Sequence, residues 1–205
     1  STWFEEAVLT APDATHHDWF GYSVATTGDT ILAGTRPNDD PGAAYVFVRD
    51  SASTLWTLQQ KLTAADGLQG DSLGYSVALS GDTALVGATY DDTPAGDGAG
   101  SAYVFVRSGS TWTQQQRLAA GDGAPGDSFG YSVALSGETA LVGAGLAEAG
   151  SVNAAGAAYA FLRSGSTWTQ QQKLVAADAA PSSLLGNAVA LAGDTALAGA
   201  YLDDN

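Results

Sequence analysis

The chain has 205 residues, no Cys and no Met, and sets 22 acidic side chains against 7 basic ones, for a formal charge of -15. No disulfide framework, zinc–cysteine centre or thiol nucleophile can be built from it, and a charge of that sign repels nucleic acid and anionic lipid while attracting cations. With 45% hydrophobic residues it can bury a core. No run of 18 apolar residues offers a membrane span, and the excess of Asp over Glu with scarce Lys suits a surface hydrated in concentrated salt, as in a halophilic or marine source.

In chain order, residues 1–10 open with "STWFEEAVL", which aligns with "STWTQQQRL" at 110–118 and predicts an outer, D-type strand of a preceding or closing blade. From 18 onward one phrase recurs, with copies beginning near 18, 71, 127 and 183 and its glycine falling at Gly21, Gly74, Gly130 and Gly186, spacings of 53, 56 and 56 residues. A period near 50 marks a solenoid, a propeller or an array. Each period predicts four short strands: A ("GYSVALS"), B ("TALVGA"), C ("SAYVFV") and D ("TWTQQQRL"). "SGDT" joins A to B and "RSGST" joins C to D, both as tight hairpins in which Gly supplies a positive φ. A long Gly- and Asp-rich loop joins B to C.

Strands B and C are apolar on successive residues, so both of their faces must be covered. Strand D alternates, and Trp112, Gln114, Gln116 and Leu118 are expected on one side of an outer edge strand. Four-stranded sheets placed face to face round an axis satisfy these demands for every copy at once. The expected fold is therefore all-β, a β-propeller of four-stranded antiparallel blades, with residues 1–205 forming a single propeller region. The chain closes on "ALAGAYLDDN", an A–B hairpin without its C strand. Three completions stay open: a fragment of a longer propeller, a four-bladed ring with a reduced last blade, or completion by another chain.

The steps "FGYSV" and "ALVGA", then a Gly-rich loop and "AYVF", resemble the FG-GAP repeat, the blade of the integrin α-subunit propeller and its microbial relatives. The resemblance implies an extracellular or cell-surface propeller used for adhesion or ligand binding. In calcium-binding blades of that kind the A–B connection is a longer loop with several aspartates. Here each turn offers one carboxylate (Asp29, Asp82, Glu138, Asp194), whereas calcium takes six to eight oxygens, so that ligand set does not transfer to these turns.

Fifteen of the 22 acidic residues fall in the B–C loops, the D–A links and the C-terminal residues, all on one propeller face. Variable loops on a rigid scaffold are where binding evolves. Candidate calcium ligands there are Asp91, Asp92 and Asp97, with Asp66 and Asp71 in the preceding link; against this stands a plain solvated acidic loop. Candidate ligand contacts are Trp19, Asp39, Asp40 and Tyr90. Trp19 replaces the Ser of "DSFG" and could stack on a sugar. His16 and His17 are the only histidines, without the further ligands a transition metal needs, and the recurring Trp3, Trp56, Trp112 and Trp168 read as structural. No nucleophile with a base is evident. The expectation is a non-catalytic adhesion or binding module for an extracellular protein or glycan; the alternative is a building block of a filament, sheath or surface layer that binds copies of itself.

Overall fold

The computed structural model describes residues 2–13, 18–36 and 40–202. Fourteen strands and no helix occur among them, in four antiparallel sheets. The first blade is β1 (Ser23–Thr27), β2 (Thr30–Gly34), β3 (Ala44–Arg49) and β4 (Trp56–Leu62). The second is β5 (Leu73–Ser80), β6 (Thr83–Ala88), β7 (Ser101–Ser108) and β8 (Thr111–Leu118). The third is β9 (Ser132–Ser136), β10 (Thr139–Ala144), β11 (Ala157–Ser164) and β12 (Thr167–Leu174). The chain ends on the hairpin β13 (Leu185–Ala192) and β14 (Thr195–Ala200). Strand order within each blade follows the chain, so every link is a hairpin or a step to the next blade.

Each A–B hairpin turns on two residues, and the glycine carries the positive φ (Gly81 at 55°). The carboxylate beside it is held by an arginine from the end of strand C. In the second blade Arg107 Nε donates to Asp82 Oδ1 at 2.7 Å. Arg49 with Asp29 and Arg163 with Glu138 repeat the pairing more loosely, at 4.0 and 3.6 Å.

Consecutive blades pack face to face, with β5 against β1 and β2, β9 against β5 and β6, and β13 against β9 and β10. One core joins the first two blades through Leu32, Val46, Leu62, Val86, Phe105 and Trp112. Another joins the second and third through Val104, Leu118, Phe129, Val142, Tyr159 and Trp168. Near the axis Ser23, Ser76 and Ser132 each donate their hydroxyl, at 2.7 Å, to the carbonyl of the next blade's Gly74, Gly130 and Gly186.

One expectation needs correction. Trp112 and Leu118 lie on opposite faces of β8, one in each core. A β-bulge leaves Gln115 without an opposite residue in β7, and one extra residue inverts the inward and outward alternation beyond it. The bulge recurs at Gln59 and Gln171 and aims the extra glutamine sideways: Gln59 Oε1 accepts from Trp112 Nε1 at 2.9 Å, and Gln115 Oε1 from Trp168 Nε1 at 3.1 Å. Trp112 and Trp168 thus latch the second and third blades to their predecessors.

The opening segment has no strand partner among the described residues. The residues of the expected edge strand 1–10 that are described, 2–10, form no ladder. A D strand draws its hydrogen bonds from the C strand of its own blade, and β3, β7 and β11 each already pair with one. The segment instead lies over the first blade, with Leu9 and Ala11 against Tyr45 and Phe47 and Glu6 on Arg49 at 2.9 Å, while Trp3 is 96% exposed.

Candidate functional site

The B–C loops and D–A links meet on one face, as Gly126 N donating to Asp97 O and Tyr90 N to Asp71 O illustrate. Two constellations stand there. The first is repeated in each blade. Strand C contributes a tyrosine and strand D, directly opposite it, a cation: Tyr45 with Lys61, Tyr103 with Arg117, Tyr159 with Lys173. The cation sits 5.3 to 5.8 Å from the ring centroid and reaches an aspartate of the preceding D–A link. Those contacts are Lys61 to Asp13 at 2.6 Å, Arg117 to Asp66 at 3.0 Å and Lys173 to Asp122 at 2.7 Å.

Arg117 does most. Beyond Asp66 it touches Asp91 at 2.7 Å, donates to Ser101 Oγ at 2.7 Å and to the Asp92 carbonyl at 2.8 Å. Asp91 also accepts from the Tyr103 hydroxyl at 2.8 Å. Burial pushes the Asp91 carboxyl above its usual range, against the bonds from Ser101 and Tyr103 and the charge of Arg117, and pushes the Tyr103 phenol up as well. In the pair Asp13 and Lys61, by contrast, the hydrogen bonds from Lys61 and Tyr45 hold Asp13 below its usual value.

The expected calcium ligands are therefore arranged as follows. Asp66 and Asp91 converge on a guanidinium. Asp92 turns its carboxylate to Gly98 N at 2.8 Å. Asp71 is buried and accepts from Leu68 N at 2.6 Å. Asp97 is exposed. Among the described residues no three His, Asp or Glu side chains gather as a metal-holding group.

The second constellation lies where the A strands begin. In β5 a register shift between Leu73 and Ser76 leaves Gly74 and Tyr75 out of the ladder, which frees the tyrosine ring to reach its counterparts. Tyr75 stands 5.1 Å from Tyr22, 5.0 Å from Tyr131 and 6.1 Å from Tyr90, centroid to centroid. The Arg36 guanidinium lies 5.9, 5.3 and 5.5 Å from the rings of Trp19, Tyr22 and Tyr75, within cation–π range. Trp19 is 53% exposed, Tyr22 41% and Tyr90 44%, over a buried Tyr75.

Of the expected ligand contacts, Trp19 and Tyr90 stand at this cluster. Asp40 shapes its own loop by accepting from Gly42 N at 2.6 Å. Asp39, like His16 and His17, lies outside the described residues. Sequence reasoning missed Arg36, Tyr22, Tyr75 and the strand-D cations. The signal for the tyrosines was the recurring "GYS", and for the cations the basic residue before each strand's final Leu. Arg36 had a subtler one: its N–H donates to Asp18 O as that of Tyr90 does to Asp71 O, so two chemically unlike residues fill equivalent sites.

Antiparallel four-stranded blades joined face to face, with variable loops on one side, define a β-propeller. The chain belongs to the FG-GAP repeat family, which matches residues 3–47, 56–105, 112–161 and 168–205. Its fold is similar to the crystal structure of Saccharomyces cerevisiae Sqt1, with a TM-score of 0.52 at 11% identity over 82% of this chain. It spans 39% of that protein's length, and so distant a likeness concerns fold alone. Comparison with the curated proteins finds no match. FG-GAP repeats form propeller modules often involved in binding and occur in extracellular or surface proteins. No helix among the described residues is long and apolar enough to cross a membrane.

Proposed function

We propose that the chain is a non-catalytic, extracellular or surface-exposed binding module whose ligand meets the loop-bearing face at Trp19, Tyr22 and Tyr90. The observation that carries this reading is three exposed aromatic rings gathered round one guanidinium on the loop-bearing face. Exposed rings with polar tips supply large contact area at small entropic cost, which suits a glycan or a protein ligand. A glycan array and a cell-surface binding assay with the wild type and the double variant Trp19→Ser, Tyr90→Ala test it. Saturable binding by the wild type, lost in the variant, is the expected result; binding unchanged by the substitutions would overturn this placement of the site.

A second reading, self-association into a filament, sheath or layer, rests on the near-identical repeats, whose copied hairpins mate with further copies of themselves. Particle size measured over a concentration series distinguishes the two, since ordered polymers without ligand support self-association.

A further inference from the structure

Among the described residues, six of the seven basic side chains reach a carboxylate: Arg49, Lys61, Arg107, Arg117, Arg163 and Lys173. Arg36 reaches none of the carboxylates among the described residues. It is half-buried, its backbone is fixed by Asp18 O, and aromatic rings line its flanks. Aromatic contact stabilises a guanidinium without engaging its in-plane N–H donors. Tyr90 accepts a hydrogen bond from Arg36; of the five donors of a guanidinium, an adjacent pair that matches a carboxylate in spacing is left for a ligand.

Trp19 supplies an independent observation. It occupies the left-handed region at φ 50°, as do Ser72 at 57° and Ser128 at 59° in the later copies. A bulky aromatic is disfavoured there, and backbone outliers concentrate where a site demands them. The fourth copy sets Leu184 there at φ 58°; of the two departures from serine, Trp19 is the one that places a half-exposed ring beside a guanidinium.

We propose that Arg36, with the exposed faces of Trp19 and Tyr22, binds a carboxylate-bearing pyranose ring of an acidic polysaccharide, a hexuronic-acid unit. The inference rests on the binding-module reading and names its ligand class. A hexuronic acid carries its carboxylate on the ring whose C–H face stacks on an aromatic, so one unit meets both features of the site. The net charge of -15 does not forbid this, because fields beyond about 8 Å are screened at physiological ionic strength.

The test uses oligogalacturonate, neutral dextran and polyglutamate as probes, in chelator-containing buffer so that calcium does not gel the uronate. Calorimetry is run on the wild type, Arg36→Gln, Arg36→Lys and Trp19→Ser, with circular dichroism checking that each variant is folded. Oligogalacturonate should bind and dextran should not. Arg36→Gln should weaken binding about ten- to a hundredfold, as expected for losing a charge-assisted pair, with Arg36→Lys intermediate and Trp19→Ser clearly weaker than wild type. Dextran binding with no effect of Arg36→Gln would overturn the carboxylate assignment and leave the binding module standing. Polyglutamate bound in place of oligogalacturonate would overturn the sugar assignment. Failure of the wild type to bind oligogalacturonate overturns the inference, whatever the glycan array reports for the module.

Discussion

The carboxylate of Asp66 and the guanidinium of Arg117 meet at 3.0 Å across the joint between the first and second blades. The same arginine reaches Asp91, which is 4% exposed, so one internal cation offsets the acidic loops where an added ion was expected. Arg117→Gln should lower stability to urea by about 2 kcal/mol. That is below the cost of orphaning a fully buried ion, because Arg117 keeps partial access to water. Lys61→Gln, at a more exposed pair, should cost about 0.5 kcal/mol. Equal effects would deny Arg117 its special place.

Cation dependence follows from the same geometry. Millimolar calcium at fixed ionic strength should raise the melting temperature of Arg117→Ala more than that of the wild type, since the variant exposes Asp66, Asp91 and the Asp92 carbonyl to a ligand-hungry cation. Molar NaCl should stabilise both by screening the acidic face. A larger calcium response in the wild type would place a calcium site elsewhere on this face.

Close approach of the blades makes a sharp prediction at one glycine. A Cβ on Gly87 would lie 2.1 Å from the Gly130 carbonyl oxygen and 2.4 Å from Ser76 Oγ, whereas one on Gly199, the equivalent position in β14, meets nothing nearer than 3.8 Å. Gly87→Ala should therefore destabilise by more than about 3 kcal/mol, and Gly199→Ala by about 0.5 kcal/mol or less. Ser76→Ala, which removes only the hydrogen bond to Gly130, should cost about 1 kcal/mol. If Gly199→Ala matches Gly87→Ala in thermal melts, another blade packs on β13 and β14.

Trp19 exchanges stability for its position. Trp19→Gly relieves the left-handed backbone and should raise stability by about 1 kcal/mol while weakening ligand binding as Trp19→Ser does. A loss of stability would mean that the indole packs rather than presents.

Acid titration separates two kinds of aspartate. Burial raises the pKa of Asp71 and Asp127, so they bind protons more readily folded than unfolded. Their charge then costs stability at neutral pH, and the cost shrinks as pH falls through their raised values. Asp13 is lowered by Lys61; its contribution is full above the ordinary carboxylate value and is lost as pH falls through the lowered one. The double variant Asp71→Asn, Asp127→Asn keeps acceptors for Leu68 N and Ala124 N. It should exceed the wild type in stability at neutral pH, with the advantage vanishing towards about pH 4. A constant difference across that range would show the two carboxyls to be unperturbed.

The repeat alone determined the blade, because strand period, glycine turns and doubly apolar B and C strands are local properties that a residue carries wherever it stands. The faces of strand D were misread, because nothing in "TWTQQQRL" says which glutamine leaves the ladder; pairing with β7 and the demand of Trp168 for an acceptor decide that. The binding cluster was legible only in part. Trp19 and Tyr90 stood out as departures from the copied phrase, but Arg36 looked like any loop arginine until the blades brought three rings round it.

Burial was settled only by neighbours. "TALVGA" at Thr83–Ala88 is wholly buried and its near-copy "TALAGA" at Thr195–Ala200 mostly exposed. Trp112 is 2% exposed where Trp3, in a matching phrase, is 96% exposed. A sequence states what a surface can pack against, and local strand formation follows from it directly. Whether that surface is covered, and which cation or ring stands opposite a given side chain, depends on chain segments about fifty residues away, and only their assembly in space decides it.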